Sequence, residues 1–328
     1  MQVLRITRPG GPEVLDFEER PAPTPGPSDL LVRVRATALN RADLLQLRGG
    51  YPAPPGVPAD VPGLEYAGEV IATGPLARRF KTGDRVMGLV GGGAFAEQLI
   101  THEREALPLP EKLDFAPAAA LPEAYLTAFD ALVLQGGLRM GESVLIHAVA
   151  SGVGSAAAQI CHALGAQVLG TGRNAEKLAR ASAWGVEKTV LCESPPRFAD
   201  AVREATGGRG ADLALELVGG DYLPETLRAM APQGRVLLVG LVAGRQTSVE
   251  LDVLLTRRLR VTGTVLRSRP PEEKMALAQA AERSLLPLFR AGTLTPVVDA
   301  VYPMREAREA LARMARNDSV GKLVLRWE

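Results

Sequence analysis

The sequence predicts an α/β protein of two differently patterned parts, one of them built on a doubly wound parallel six-stranded sheet. Three observations predict it. Between residues 143 and 265, short apolar runs alternate with helical periodicity, the pattern of buried parallel strands covered by helices on both faces. The first of those runs passes through a turn of small residues straight into a helix. Residues 1–120 instead show period-two alternation interrupted by Pro and Gly, the mark of a smaller β-rich domain.

Length and composition agree with this division. At roughly 100–200 residues per domain, 328 residues predict two domains, and a hydrophobic fraction of 46% supports a sizeable core. Charges balance to +1 with no basic tail or block, so no nucleic-acid partner is expected. Two cysteines, Cys161 and Cys192, cannot build a disulfide framework or a four-thiolate zinc site. The opening residues MQVLRITRPGG lack the apolar core of a signal peptide, and no apolar run is long enough to span a membrane. A cytoplasmic protein is the expectation.

In chain order, Met1–Thr7 and Leu30–Ala38 read as strands joined through a turn-rich link, RPAPTPGPSD. Asn40–Arg48 reads as a short helix. The next stretch, GGYPAPPGVPADVPG, is too rich in Pro and Gly for regular structure. It is long for a loop in a compact domain, and such loops are often functional. Leu64–Thr73, Gly83–Val90 and Ala94–Ile100 carry the β pattern onward, and Pro117–Leu134 is helical.

The stretch SVLIHAVASGVGSAAAQICHALG (143–165) organises the second part of the chain. Val144, Leu145 and Ile146 suit a strand buried on both faces. The helix after the turn is marked by Val153, Ala157, Ile160 and Leu164 and stops at Gly165. Backbone N–H groups at such a helix start can hold a pyrophosphate. Of the usual three fingerprint glycines, only the third, Gly154, is kept, because Val149 and Ser151 occupy the first two positions. Strands then recur at Gln167–Thr171, Thr189–Leu191, Ala211–Leu217, Arg235–Leu241 and Arg260–Val265. Helices lie between them at Ala175–Trp184 (capped by Asn174), Arg197–Ala205 and Leu223–Met230. Six strands with a Gly turn after the first fit the dinucleotide-binding pattern. The tail adds helices at Glu272–Arg290 and Arg305–Ala315 and a last strand, Lys322–Arg326, expected to rejoin the first domain. The domains are therefore expected at 1–120 with 266–328, and at 121–265.

Several separated motifs carry a family resemblance. They are ATALNRADLLQLRGGYP (36–52), PGLEYAGEV (62–70), GDRVMGL (83–89), LPEAYLTAF (121–129), HAVASGVGSAAAQ (147–159), LVGGDY (217–222) and SVGKLVL (319–325). With these the chain resembles the zinc-independent, zeta-crystallin-like quinone oxidoreductases of the medium-chain dehydrogenase/reductase superfamily. LRSRPPEEK (266–274) is most similar to the p53-inducible branch. The resemblance implies a GroES-like β-domain, a Rossmann domain and a cleft between them. It also implies NADPH as hydride donor, a quinone or other small-molecule acceptor, and a homodimer formed through the Rossmann sheet edge, here Arg260–Leu266.

The zinc-dependent relatives place a Cys where this chain has Asn40 and a His where it has Leu64. No Cys or His lies in Leu121–Tyr125, near their third ligand. A catalytic zinc needs three protein ligands, and His102, His147 and His162 have no metal-like spacing. Metal independence is therefore expected. Without zinc or flavin, the protein's task is to orient the nicotinamide against the acceptor and to stabilise charge developing on oxygen. By family position, Asn40 (through its amide) and Tyr51 (through its hydroxyl) are the candidate donors. The alternative for both is loop-ordering hydrogen bonds. Glu65 is read as a brace, and Asp43 as mainly structural.

On the cofactor side the candidates are Thr127, the turn residues Ser151, Gly152, Val153 and Gly154, Gly240 and Leu241 beyond the fifth strand, and Lys322 in the last motif. An acid ~20 residues past the Gly turn binds the ribose 2′-OH in NAD enzymes. Here the second strand ends in Thr171–Gly172–Arg173–Asn174, with Lys177 one turn on. Arg173 and Lys177 suit a 2′-phosphate, or else form a solvated basic helix start. Relatives often carry a Tyr at Cys192. An α,β-unsaturated carbonyl is the competing acceptor, and a non-catalytic NADPH-binding protein the competing class.

Overall fold

The structure, a computed structural model, describes residues 1–327. It divides into two units, Thr127–Val265 and the remainder, Met1–Leu126 with the chain from Leu266 onward.

In the second of these, β1 (Gln2–Ile6) and β2 (Leu15–Glu19) form a separate antiparallel pair. The sequence reading passes over β2, because only Leu15 of LDFEE is fully buried and no alternation marks it. The ten-residue β3 (Asp29–Ala38) leads into α1 (Arg41–Leu47). Next come β4 (Glu65–Thr73), β5 (Arg85–Leu89), β6 (Gln98–His102) and β7 (Ala106–Pro108). The helical stretch expected at 117–134 is broken into α2 (Phe115–Ala119), α3 (Pro122–Phe129) and a π-helical turn at Asp130–Gln135. Pro122 has no N–H to continue the first segment and opens the second.

The unit Thr127–Val265 holds β8 (Ser143–Ile146), α4 (Gly152–Ala163), β9 (Gln167–Gly172), α5 (Ala175–Ala179) and β10 (Lys188–Leu191). It continues with α6 (Ala199–Ala205), β11 (Ala211–Glu216), α7 (Tyr222–Ala229), β12 (Met230–Leu238), α8 (Leu251–Arg257) and β13 (Arg260–Gly263). All six strands are parallel, in the order β10-β9-β8-β11-β12-β13. This is the order of a dinucleotide-binding sheet, and its direction of winding reverses between β8 and β11. Val144, Leu145 and Ile146 are fully buried, as are Leu213, Ala214 and Leu215 beside them. Each such Leu or Ile contributes about 1.5–3 kcal/mol. Gly165, at φ +71°, ends the turn after α4 as expected. The fifth strand, expected at 235–241, closes at Leu238, so Gly240 and Leu241 belong to the loop beyond it. The expected helix at 175–184 tightens into a 3₁₀ turn from Arg180. Helix α8 is a further element the sequence reading passes over, since none of its residues is buried.

From Leu266 the chain forms α9 (Pro271–Ser284), α10 (Leu286–Arg290), β14 (Val298–Pro303), α11 (Ala307–Ala315) and β15 (Lys322–Arg326). The single helix expected at 272–290 is split, with Pro287 in the first turn of α10. Strand β15 lies antiparallel to β3, and the seven-stranded sheet runs β14-β15-β3-β4-β5-β7 with β6 also on β3. The chain's end therefore rejoins the sheet begun by β3. One core cluster joins Leu44, Leu47, Phe95, Leu311 and Leu325; a second joins Leu30, Val32, Tyr66 and Val86. Among the described residues no helix is long and apolar enough to cross a membrane.

Candidate functional site

In the Thr127–Val265 unit the site is built on the turn from β8 to α4. Ser151 is the N-cap of α4, and its Oγ accepts the Gly154 N–H at 3.1 Å. Val149 N–H donates to the Thr171 carbonyl, which ties the turn to β9. A Cβ on Gly154 would stand 2.4 Å from the Ala148 oxygen and 2.7 Å from Val149 Cα. Only glycine lets α4 pack this closely on the turn, the role of the third fingerprint glycine. The N–H groups of Gly152 and Val153 find no acceptor among the described residues, so the helix N-terminus is open to an anion.

Arg173, Lys177, Gly240 and Leu241 follow the carboxyl ends of β9 and β12 at the same edge of the sheet. Strand β9 ends at Gly172. Arg173 comes next, exposed and without hydrogen bond or ion pair among the described residues. Asn174 caps α5 by accepting the Lys177 N–H at 2.9 Å, which places Lys177 in the first turn. Gly240 packs on Leu217, where a Cβ would meet the carbonyl oxygen at 2.4 Å, and Leu241 is 45% exposed. Thr127 is buried in α3.

Beneath this edge lies a polar network the sequence did not disclose. His147 bonds Thr171 Oγ1 at 2.8 Å and Thr226 Oγ1 at 2.9 Å. Glu216, fully buried, accepts the Val218 and Gly219 N–H groups and the Thr226 hydroxyl. Burial lowers the His147 pKa, opposed by the Glu216 charge. These groups brace strand ends. Cys192 is also buried, its thiol pushed up by burial. Beside it stands Tyr222, whose phenol burial pushes up to about 12 and on which the Arg173 charge acts in the opposite sense. The sequence reading does not single out Tyr222, though it ends the LVGGDY motif.

In the other unit, Asn40, Asp43, Glu65 and Lys322 form one buried cluster. Asn40 Nδ2 donates to Glu65 Oε1 at 2.9 Å and to the Ala38 carbonyl at 3.2 Å. Lys322 Nζ donates to Asn40 Oδ1 and pairs with Glu65 Oε1 at 2.7 Å. Glu65 Oε2 accepts the Glu123 N–H at 2.8 Å, which fixes the start of α3. Asp43 accepts the Asn40 and Gly63 N–H groups at 2.7 and 3.2 Å, and burial pushes its carboxyl up to about 6. One expectation is corrected here. Both amide protons of Asn40 are already committed, so it anchors the cluster instead of offering a donor. Lys322, a cofactor candidate by its motif, is buried here as the counter-charge of Glu65. The bracing role expected of Glu65 matches its bonds.

Tyr51 stands apart from that cluster in the Pro-rich loop, half-buried, its phenol raised by burial. Arg267, which the sequence reading does not single out, stacks on it with Cζ 4.6 Å from the ring centroid. Tyr125 is a packing residue: its hydroxyl donates to the Thr295 carbonyl at 2.8 Å and its ring packs edge-on against Phe289. Among the described residues no group of three or more His, Cys, Asp and Glu could hold a metal ion.

Comparisons with known proteins bear on this arrangement. Residues 26–111 match the alcohol dehydrogenase GroES-like domain, and residues 152–282 the zinc-binding dehydrogenase family. The chain is 36% identical to a quinone oxidoreductase of Pseudomonas aeruginosa, with 96% of each protein covered. It is 31% identical to the human quinone oxidoreductase, over 99% of this chain and 97% of the other. A solved quinone oxidoreductase of Pseudomonas syringae superposes with a TM-score of 0.88 at 31% identity, over 99% of both chains. An NAD-dependent alcohol dehydrogenase gives 0.87 at 30% identity, again over 99% of both. A mycobacterial protein solved with NADPH gives 0.87 at 27% identity and the same coverage.

Proposed function

The chain belongs to the quinone oxidoreductases of the medium-chain dehydrogenase/reductase superfamily, and from that premise we propose that it is an NADPH-dependent reductase of quinones, independent of zinc and flavin. One observation carries the cofactor choice. Where an NAD enzyme has an acid for the ribose 2′-OH, the end of β9 presents Arg173, exposed and unpaired among the described residues. The relative solved with NADPH supports the same reading.

The residues present fit a dinucleotide. The open N–H groups of Gly152 and Val153 bind the pyrophosphate, and the close approach at Gly154 sets the helix that aims them. Arg173 offers its planar fork to the 2′-phosphate, with Lys177 as a point charge one turn on. Thr127, Gly240 and Leu241 complete the edge on which the dinucleotide lies. Bound there, NADPH would supply the hydride. Tyr51 donates its hydroxyl to the acceptor oxygen as negative charge builds on it. Asn40 acts by holding Lys322 and Glu65 in register. Zinc independence rests on Asn40 and Leu64, which are neither thiolate nor imidazole. We further propose a homodimer through β13, an edge strand that leaves Val261 42% exposed. Membership of the p53-inducible branch, carried by LRSRPPEEK, is likewise a proposal.

The test is steady-state NADPH oxidation with a panel of quinones and a panel of α,β-unsaturated carbonyls. Quinone-dependent oxidation that exceeds enone-dependent oxidation supports the reading. The reverse order would assign an enone reductase, and oxidation with neither would leave a binding protein.

A further inference from the structure

Arg267 is 6% exposed, yet no carboxylate pairs with it among the described residues. Buried charges are usually paired, so its partners matter. All are neutral, and all belong to one loop or to the groups that hold that loop. Arg267 Nη1 donates to the Tyr51 carbonyl at 2.9 Å, Nε to the Gly91 carbonyl at 2.7 Å, and Nη2 to Gln46 Oε1 at 2.7 Å. Gln46 passes the restraint on, since its Nε2 donates to the Ala59 carbonyl at 3.0 Å. The guanidinium thus grips the Pro-rich loop 49–63 at Tyr51 and, through Gln46, near its far end. Its plane also covers the Tyr51 ring, a cation–π contact.

We propose that Arg267 is the positioning residue that holds Tyr51 and loop 49–63 in the conformation that receives the electron acceptor, and so sets acceptor selectivity. The inference rests on the proposed role of Tyr51 in quinone reduction. Three features support it. A guanidinium offers donors in a fixed fork, so three acceptors on separate segments are set at one geometry; an ammonium cannot reproduce this. A cation over the ring face is fixed beside the one hydroxyl proposed to meet developing negative charge, and its field favours the ionised phenol against burial. No carboxylate forms an ion pair with Arg267 among the described residues, and the Asp43 charge acts on it only through space, so part of its field remains for that site.

The test compares Arg267→Lys, Arg267→Gln and Tyr51→Phe, with the double variants Arg267→Lys/Tyr51→Phe and Arg267→Gln/Tyr51→Phe. Steady-state kinetics are read with two quinones of different bulk, alongside amide hydrogen exchange over residues 49–63. Arg267→Lys should raise KM for quinone on the order of tenfold, change the ratio between the two quinones, and leave KM for NADPH within about twofold. Arg267→Gln should do at least as much. Exchange in 49–63 should rise in both while the Thr127–Val265 unit is unchanged. Arg267→Lys should also lower kcat, and in the Tyr51→Phe background that loss should largely vanish, because it acts through the hydroxyl, while exchange in 49–63 still rises because the loop is held through the Tyr51 carbonyl. Equal losses toward NADPH and quinone, or unchanged exchange in 49–63, would overturn the proposal. If the wild type reduces no quinone, the proposed function fails by itself, and the exchange measurement still decides whether Arg267 holds the loop.

Discussion

Replacing Lys322 with Met should unfold the buried cluster around Glu65 more readily than any surface change. The Glu65 side chain is 0% exposed and the Lys322 side chain 6%, with 2.7 Å between Nζ and Oε1. In the variant the carboxylate keeps the Asn40 amide and the Glu123 N–H but loses the one cation that pairs with it among the described residues. Breaking a buried pair by removing one partner costs about 3–5 kcal/mol. At about 2–4 °C per kcal/mol this is roughly 6–20 °C in Tm. Adding Glu65→Gln removes the stranded charge. The double variant should regain more than half of the loss. Differential scanning calorimetry without cofactor reads both. A shift below about 2 °C for Lys322→Met, well under the cost of a stranded buried charge, would refute the assignment. So would a double variant no more stable than the single one. Lys322 would then not be the counter-charge of Glu65.

Other expectations come from the same geometry. Gly154→Ala forces a Cβ to within 2.4 Å of the Ala148 oxygen; it should cost about 1–3 kcal/mol and abolish NADPH binding, as read by thermal melts and fluorescence titration. Asp43, pushed up to about 6 from an ordinary 3.8, retains its proton longer when folded. Its contribution to stability is complete below pH ~4 and is lost as pH rises through about 6, so urea midpoints should fall over that window. Asp43→Asn should remove that limb and, by leaving one of two backbone N–H groups without an acceptor, lower stability by about 1–3 kcal/mol. A chelator should leave NADPH oxidation intact; activity lost to chelator and restored by zinc would sink metal independence.

The features legible in the sequence are the local ones. The β8–α4 turn is legible because the buried run, cap and close-packed glycine lie within a dozen positions, and the order of the six strands accords with their connections. Helix ends are visible where glycine takes positive φ, at Gly165 and Gly185. Elements that bury little leave no pattern: β2 shows one fully buried residue, α8 none, and β14 none. Periodicity alone draws helices too long wherever a proline interrupts them. The site in the GroES-like unit is legible residue by residue but not as a network. Asn40 meets Glu65 across 25 positions and Lys322 across 282, and Tyr51 meets Arg267 across 216. No periodicity reports such meetings, so the commitment of the Asn40 amide and the grip of Arg267 emerge only in three dimensions.

NADPH-dependent quinone reduction is tested most directly by kcat/KM with NADPH and NADH side by side, in the wild type and in Arg173→Ala and Arg173→Glu. A hydrogen bond to a charged group is worth about 1.5–3 kcal/mol before screening at an exposed site, so the wild type should prefer NADPH on the order of tenfold. Raised salt should narrow that preference. Arg173→Ala should remove most of it by weakening NADPH alone, and Arg173→Glu should reverse it. If Arg173→Ala lowered both cofactors equally, Arg173 would serve the fold or the shared adenosine, and the NADPH assignment would be wrong.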